Sequence, residues 1–250
     1  MPRNEMLIRG GTVADGSGRE PVRADVLIRA GRIAAVEAPG AVAAGDIPTV
    51  DATGLVIAPG FIDVHSHADN AALLPEDETS KILQGVTTEV TGNCGFSLAP
   101  TRADSVAAFA SFTQRIFPPM EFAWSTWAEF TRIADAHGHV TNWAPLVGHG
   151  TLRIAVLGMA DRTPDADELR LMGRELDLAL EGGAFGMSSG LVYPRRSSAT
   201  PTNSSPWPGT WAPTASTPPI CAVRVPHCSP RSTKAPGSVP KADAGFTSPI

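Results

Sequence analysis

The chain has 250 residues, enough for one large domain or two small ones, and a formal net charge of −5 at pH 7. This acidic balance excludes an ordinary nucleic-acid binder, which carries a basic face. The three cysteines are odd in number and widely spaced, so they exclude a disulfide framework and favour a reducing compartment. The N-terminal residues lack the apolar core of a signal peptide, and no stretch is long enough to span a membrane. We therefore expect a cytoplasmic protein with no membrane partner.

Residues 1–58 predict a small β-sandwich-like domain. Short runs rich in β-formers alternate with glycine-containing turns. The predicted strands lie at 6–9, 12–14, 25–30, 32–36 and 50–57. The segment 22–36 has the pattern of a hairpin that turns at Ala30 and Gly31. This region by itself indicates little about function.

After Pro59 the pattern changes to alternating strands and helices. The predicted strands lie at 61–65, 86–90, 142–147 and 184–187, and the predicted helices at 78–84, 103–115, 125–137 and 165–181. Such alternation is typical of a parallel barrel or sheet whose functional residues lie at the carboxyl ends of the strands. About four βα units are visible, whereas a barrel needs eight. Residues 59–194 therefore predict an incomplete (β/α)8 TIM-type barrel, in the α/β class.

Residues 195–250 have a different composition. The last 57 residues contain 12 of the 23 prolines and no Leu, Glu, Gln, Met or Tyr. A Pro/Ser/Thr-rich composition is typical of a disordered tail. Disordered tails are usually poor in tryptophan and cysteine, however, and this one contains Trp207, Trp211, Cys221 and Cys228. The second interpretation is a segment translated out of frame.

The genetic code supports a shifted reading frame. When the third base of each codon is joined to the first two of the next, Thr217–Val225 permits Ser-Ser-His-Leu-Arg-Gly-Glu-Gly. Ala199–Ser204 permits Asp-Thr-Asp-Glu-Leu, a run ending at Lys234 permits Val-Asp-Glu, and the end of the chain permits Val-His-Ile-Ser-His. We therefore expect a frameshift near residues 195–198, followed by a disordered, non-native tail.

Two histidines at the end of a predicted strand indicate a metal site. His65 and His67 follow the apolar run that begins at Phe61. Because strand side chains alternate between faces, the two rings would point the same way and could bind one ion. The alternative is a loop with two solvated histidines. Asp63 and Asp69 flank the pair and are expected either to orient the rings as hydrogen-bond acceptors or to be solvated.

Three further side chains are candidates for the same site. Cys94, in TGNCG, follows the next predicted strand, and a thiolate is a good zinc ligand; the alternative is a buried structural cysteine. His149 ends another predicted strand and faces the same barrel mouth or has a structural role. Tyr193, the only tyrosine, contacts a substrate carboxylate or packs in the core. Ser188 and Ser189 lack a G-x-S-x-G context, so we do not expect nucleophiles there.

These segments together resemble the N-acyl-D-amino-acid deacylases (D-aminoacylases) of the metal-dependent amidohydrolase superfamily. The matching text is LIRGGTVADGSG, APGFIDVHSHAD, GVTTEVTGNCGFSLAP, LVGHGTLR and GAFGMSSGLVYP. The His-x-His pair is shared by the whole superfamily, whereas TGNCGFSLAP and SSGLVYP are more specific to the deacylase branch. The resemblance covers residues 6–194. The shifted tail extends it, because Ser-His-Leu-Arg-Gly-Glu and Ile-Ser-His resemble the next two histidine strands of that family.

The resemblance implies a (β/α)8 barrel with a small β domain built from both chain ends. It also implies a Zn²⁺ ion that activates water for attack on the acyl carbonyl of a small-molecule N-acyl-D-amino acid. The implied metal ligands are His65, His67 and Cys94, and the implied substrate-binding residue is Tyr193, with His149 as a second candidate. In the family the other two histidine ligands and the catalytic aspartate follow the position of residue 194, and none is encoded in frame here. We therefore assign no catalytic residue and expect an inactive, poorly folded chain.

Two alternatives remain open. The first is a cyclic-amide hydrolase of the hydantoinase or dihydropyrimidinase kind. Cys94 argues against it, because those relatives bridge two metals with a modified lysine. The second is a non-catalytic metal-binding protein whose Pro-rich tail binds a partner in polyproline form. That alternative makes the codon matches accidental.

Overall fold

A computed structural model describes residues 5–190 and the backbone of residues 222–224. The chain divides into two compact units, and the division falls between Phe61 and Ile62. Within the described ranges, no helix combines the length and the apolar character that a bilayer span requires.

The first unit contains one mixed β-sheet. Its strands are β1 (Glu5–Val13), β2 (Val22–Arg29), β3 (Arg32–Glu37), β4 (Thr49–Asp51) and β5 (Val56–Ile57). The order is β3-β2-β1-β4, and β5 also pairs with β1. Strands β1, β2 and β3 are antiparallel neighbours, whereas β4 and β5 run parallel to β1. The sandwich-like unit expected from the sequence is therefore a single five-stranded sheet within the described residues.

A register shift within β1 and a tight turn after β2 explain the course of this sheet. The predicted strands 6–9 and 12–14 are one strand, because a register shift between Ile8 and Gly11 lets β1 continue. The hairpin predicted at Ala30 and Gly31 is confirmed, and both residues have positive φ, at 49° and 73°. A two-residue loop of that kind matches the twist of the strands it joins.

The second unit is built on another sheet. Its strands are β6 (Phe61–Asp63), β7 (Val86–Thr91), β8 (Asn142–Gly148), β9 (Gly186–Ser189) and β10 (Ala222–Arg224). They lie in the order β6-β7-β8-β9-β10, with β7, β8 and β9 parallel. These parallel strands with helices between them confirm the predicted incomplete barrel. Strand β10 lies in the segment expected to be disordered. It pairs antiparallel with β9, so it does not continue a barrel of parallel strands.

Among the described residues, four α-helices pack against this sheet. They are α1 (Val106–Thr113), α2 (Trp127–His137), α3 (His149–Leu157) and α4 (Ala166–Glu181). Helices α2 and α4 begin with capping boxes, formed by Thr126 with Glu129 and by Asp165 with Glu168. Three of the four agree with the predicted helices at 103–115, 125–137 and 165–181.

The structure departs from the predicted elements at several places. The strand predicted at 50–57 is divided into the two short strands β4 and β5. Helix α3 was not predicted, because its sequence opens with Gly-His-Gly and continues with β-branched residues that also suit a strand. The helix predicted at 78–84 is only a 3-10 turn at Ile82–Gln84, which Gly85 ends in a left-handed conformation. Strand β6 ends at Asp63 rather than at residue 65.

The core of the second unit lies between the sheet and the helices. Phe96, Phe109, Phe112 and Phe130 are almost completely buried there. Phe96 and Phe112 stack with ring centroids 4.4 Å apart. Burial of this apolar area is the main driving force for packing the helices against the strands. The packed helices hold the strand ends, and the loops that follow them, in fixed positions.

Candidate metal centre

The loops after β6 and β7 bring three potential metal ligands together. One ligand atom from each of His65, His67 and Cys94 lies within 4.8 Å of the others. The Sγ atom of Cys94 is 3.2 Å from Nε2 of His65, and the two imidazole rings have centroids 5.5 Å apart. Among the residues that the structure describes, this is the group of His, Cys, Asp and Glu side chains arranged to hold a metal ion.

The histidines lie on a loop, so strand alternation does not orient them as the sequence argument assumed. Ser66, between them, is buried and points into the protein. Its backbone N–H donates to the Val90 carbonyl at 3.0 Å, and its hydroxyl donates to Oε2 of Glu89 at 2.6 Å. The amide of Asn93 donates to the Ser66 carbonyl at 3.2 Å. Strand β7 and the turn after it therefore fix the loop that carries His65 and His67.

Glu89 is a buried carboxylate at the centre of these contacts. Besides Ser66, it accepts a hydrogen bond from the Thr141 hydroxyl at 2.9 Å. Lys81 Nζ lies 3.5 Å from Glu89 Oε2 and also pairs with Asp63. A buried carboxylate is stable only when its oxygens are hydrogen-bonded or paired with a cation, and both conditions hold here.

Cys94 occupies a tight turn in the left-handed region of backbone space. Its φ is +55°, and the flanking Gly92 and Gly95 have φ of +73° and +75°. A Cβ on Gly92 would collide with the backbone oxygen of Leu146, so the turn packs directly against β8. The thiol is 6 % exposed, which places it at the inner side of the site.

Asp63 and Asp69 bond to backbone groups. Asp63 accepts the backbone N–H of His65 at 3.0 Å, and its hydrogen bond with Lys81 holds the pKa of its carboxyl below the usual value. Burial raises the pKa of Asp69 to about 7, although a hydrogen bond from the backbone of Gly92 partly opposes this rise. In the described hydrogen bonds these two aspartates therefore shape the loops rather than orient the imidazole rings.

The two candidate substrate-binding residues are placed differently. His149 is the first residue of α3, directly after β8, and it is buried. It does not belong to the group of three potential ligands. Tyr193 lies outside the described residues. Both assignments stay predictions.

Cys94 and His65 already have the spacing of two ligands of one zinc ion. Zinc bonds of ~2.0–2.1 Å to nitrogen and ~2.3 Å to sulfur put tetrahedral ligand atoms about 3.3–3.7 Å apart, close to the sulfur–nitrogen distance seen here. Nδ1 of His67 is buried without a hydrogen-bond partner in the described structure, so this ring has an unused polar atom. Burial, and then the neighbouring His65, lower the pKa of His67, which favours the neutral ring that binds metals.

Sequence reasoning missed the residues that hold these loops. Ser66, Glu89 and Asn93 were not singled out, and Ser188 was considered only as a nucleophile. One signal was available for Glu89, because glutamate is depleted in strands and here interrupts a strand of threonines and valines. Ser188 is buried and forms hydrogen bonds with the backbone of Gly92 and Gly95, which lie far away in the sequence, so no local pattern reveals its role.

Comparison with known proteins identifies a family. The model of the amidohydrolase family matches residues 48–200. An N-acyl-D-aspartate deacylase of Alcaligenes xylosoxydans xylosoxydans is 39% identical over 203 residues, which are 80% of this chain and 39% of that protein. The chain therefore spans about two fifths of the length of this relative.

Two solved structures have the same fold over the matched part. One is a D-aminoacylase whose study concerns a binuclear metal centre with one-metal activation. Its TM-score is 0.68 at 39% identity, and the match covers 78% of this chain and 40% of the D-aminoacylase chain. The other is an N-acyl-D-glutamate deacylase from Bordetella bronchiseptica, in complex with zinc and a phosphonate inhibitor. Its TM-score is 0.68 at 37% identity, over 79% of this chain and 40% of its own.

Proposed function

The chain belongs to the amidohydrolase family, and on that basis we propose that it is part of a zinc-dependent hydrolase of N-acyl-D-amino acids. The reaction cleaves the amide C–N bond and releases a carboxylate and a D-amino acid. The observation that carries this proposal is the convergence of His65, His67 and Cys94 within 4.8 Å of one another, on loops that follow neighbouring strands. The names of the relatives supply the substrate class.

The proposed ligand set is His65, His67 and Cys94. A bound zinc would supply Lewis acidity at the acyl carbonyl and would lower the pKa of a bound water. The residues of this chain contribute a preformed donor set: two imidazoles on the loop after β6 and a thiol on the turn after β7. The buried anchors Ser66 and Asn93 hold that set in place before the ion arrives, which reduces the entropy lost on binding.

Recognition of the substrate requires groups beyond the metal ligands. We propose Tyr193 for the carboxylate of the D-amino acid, because its phenol can donate a hydrogen bond to an anionic oxygen. We propose His149 as a second contact, because it begins α3 at the carboxyl end of β8, where sites in this fold lie.

We propose that the chain as it stands is inactive, because residues 195–250 are translated out of frame. The family match ends at residue 200, close to the change in composition. The pairing of β10 with β9 is antiparallel, unlike that of β7, β8 and β9. The domain limits that go with this proposal are 1–58 for the small β domain, 59–194 for the partial barrel and 195–250 for the non-native tail.

Two measurements test the function and the frameshift together. The coding DNA is read through codons 190–250 and beyond, and a gene with the frame restored near residue 196 is expressed. We expect the restored protein to release D-methionine from N-acetyl-D-methionine in a zinc-dependent reaction and to leave the L-isomer intact. We expect the unrestored chain to release none.

The outcomes separate the two parts of the proposal. Early stop codons in the shifted frame would refute the frameshift and favour a metal-binding role with a genuine tail. An open shifted frame whose product hydrolyses hydantoin or dihydrouracil, but no N-acyl-D-amino acid, would refute the substrate class. Activity of the unrestored chain on N-acetyl-D-methionine would refute its proposed inactivity.

A further inference from the structure

The turn that carries Cys94 needs an external support. Three of its residues, Gly92, Cys94 and Gly95, have positive φ, and one of them has a side chain. A residue other than glycine in this region is strained by its own Cβ, and it persists only where the surroundings hold it. Without such support, the backbone of Cys94 would relax toward more favourable φ and ψ values. Its thiol would then point away from the histidines.

Ser188 supplies that support from β9. Its side chain is completely buried. The hydroxyl donates to the carbonyl of Gly92, and the backbone N–H of Gly95 donates to the same hydroxyl at 3.0 Å. One oxygen therefore joins both ends of the turn and uses its single proton and a lone pair to do so. A hydroxyl engaged in this way is not available as a nucleophile.

The neighbouring strand is adapted to this contact. Ser188 pairs in register with Gly148 of β8, which lies between β7 and β9. A Cβ on Gly148 would collide with the backbone oxygen of Gly95, so only a glycine there lets the turn approach. The absence of a side chain at residue 148 therefore lets the backbone of Gly95 and Phe96 lie directly against β8.

We propose that Ser188 is a positioning residue for the metal site, holding Cys94 in the left-handed conformation that aims its thiol at His65. The proposal rests on the proposed function, since it assigns Cys94 as a metal ligand. The serine has no contact with the ion or the substrate in this role. It acts through the backbone of residues 92–95.

The test measures zinc affinity and the metal–sulfur bond in the full chain. Cys221→Ser and Cys228→Ser remove competing thiols and define the reference chain. Into it are placed Ser188→Ala, the matched control Ser189→Ala on the opposite face of β9, and Ser188→Thr, which keeps a hydroxyl. We expect Ser188→Ala to weaken zinc binding about 10-fold to 100-fold, the range for residues that orient metal ligands. Ser189→Ala should change it less than about threefold, well below that range.

Cobalt(II) distinguishes positioning from a general loss of stability. The reference chain should give a thiolate-to-cobalt charge-transfer band, and Ser188→Ala should lose that band while its far-ultraviolet circular dichroism is unchanged. Ser188→Thr should keep it. If Ser188→Ala lowers the helical signal, Ser188→Thr provides the test instead. Loss of the cobalt band in a folded Ser188→Thr variant overturns the proposal.

The outcomes distinguish the two proposals. A reference chain that binds no zinc contradicts the proposed function. A reference chain that binds zinc, with Ser188→Ala binding as tightly and with the same cobalt band, overturns only the role of Ser188. An equal loss in Ser189→Ala also overturns it, because the effect would then belong to β9 as a whole.

Discussion

The second unit has two buried regions that are built by different means. Beneath the helices, phenylalanines and tryptophans pack with ring centroids 4.4 to 6.3 Å apart. At the ends of β6 and β7, the buried side chains are polar: Ser66, Asp69, Glu89, Thr91 and Asn93. The first region gains stability from the area that it removes from water. Polar groups in the second region lose water when they are buried and exchange it for hydrogen bonds within the protein, so this region gains little stability and instead fixes positions.

This difference separates the region that stabilises the fold from the region that positions the candidate metal ligands. Buried polar networks of this kind are costly when incomplete, yet the chain places one directly behind His65, His67 and Cys94. The aromatic core stabilises the strands, and the polar network orients the loops at their ends. Substitutions in the two regions should therefore differ in their effect on stability.

The largest effect is expected in the aromatic core. Phe130 is 1 % exposed and lies between Trp124 and Trp143, so Phe130→Ala leaves a large cavity. We expect it to lower the free energy of unfolding by about 3–5 kcal/mol. Urea denaturation of the full chain measures the loss. Leu83→Ala, at a side chain 82 % exposed, is the control and should change stability little; similar losses in both variants would contradict the assigned core.

An intermediate effect is expected in the polar network. Glu89→Gln keeps the shape but replaces one acceptor oxygen by a donor, facing Ser66 and Lys81. We expect a loss of about 1–3 kcal/mol in the free energy of unfolding, because buried donors are left unsatisfied. Glu76→Gln, at an exposed residue, is the control. Unchanged stability in Glu89→Gln would show that the network does not constrain the loop.

The first unit also contains a buried carboxylate that fixes loops through hydrogen bonds, and its expected effect on stability is smaller. Asp25 is buried and accepts the backbone N–H groups of Gly10 and Gly40 at 2.9 and 2.8 Å. These two hydrogen bonds, from Gly10 first, lower the pKa of its carboxyl. The unfolded carboxyl titrates near pH ~3.9, so the stabilisation is complete above that pH and is lost as the pH falls through the lower folded pKa.

We therefore expect Asp25→Asn to be less stable than the original chain by about 1–2 kcal/mol at pH 7, because hydrogen bonds to a charged carboxylate are roughly twice as strong as those to a neutral amide. The difference should shrink as the pH is lowered below ~3.9. Urea denaturation at a series of pH values measures it. A difference that grows toward low pH would contradict the lowered pKa, and Asp46→Asn, at an exposed aspartate, is the control.

The smallest effect is expected at a surface cap. Asp165 accepts the backbone N–H groups of Asp167 and Glu168 at 2.9 Å and begins α4. Asp165→Ala should cost about 1 kcal/mol. Thermal unfolding monitored by circular dichroism measures this, with Asp177→Ala, at an exposed position inside the same helix, as the control. A larger loss at Asp177 than at Asp165 would contradict the cap.

The sequence predicted the parts of the molecule that depend on local chemistry. The helices near 125–137 and 165–181, the turn at Ala30 and Gly31, and the alternation of strands with helices all follow from short-range patterns. Helix α3 was missed, because a Gly-His-Gly opening with β-branched residues is locally ambiguous and packing against β8 decides it. The support that Ser188 gives to Gly92 and Gly95 joins residues more than ninety positions apart. Only the folded chain reveals it.

X-ray absorption spectroscopy at the zinc edge tests directly whether His65, His67 and Cys94 bind one ion. The sample is the full chain with Cys221→Ser and Cys228→Ser, loaded with one equivalent of zinc. We expect one sulfur ligand at ~2.3 Å and two imidazole nitrogens at ~2.0–2.1 Å, and we expect the sulfur to be absent when Cys94→Ser is added. A zinc ion with no sulfur ligand in the reference chain would contradict the assignment of His65, His67 and Cys94 as one site.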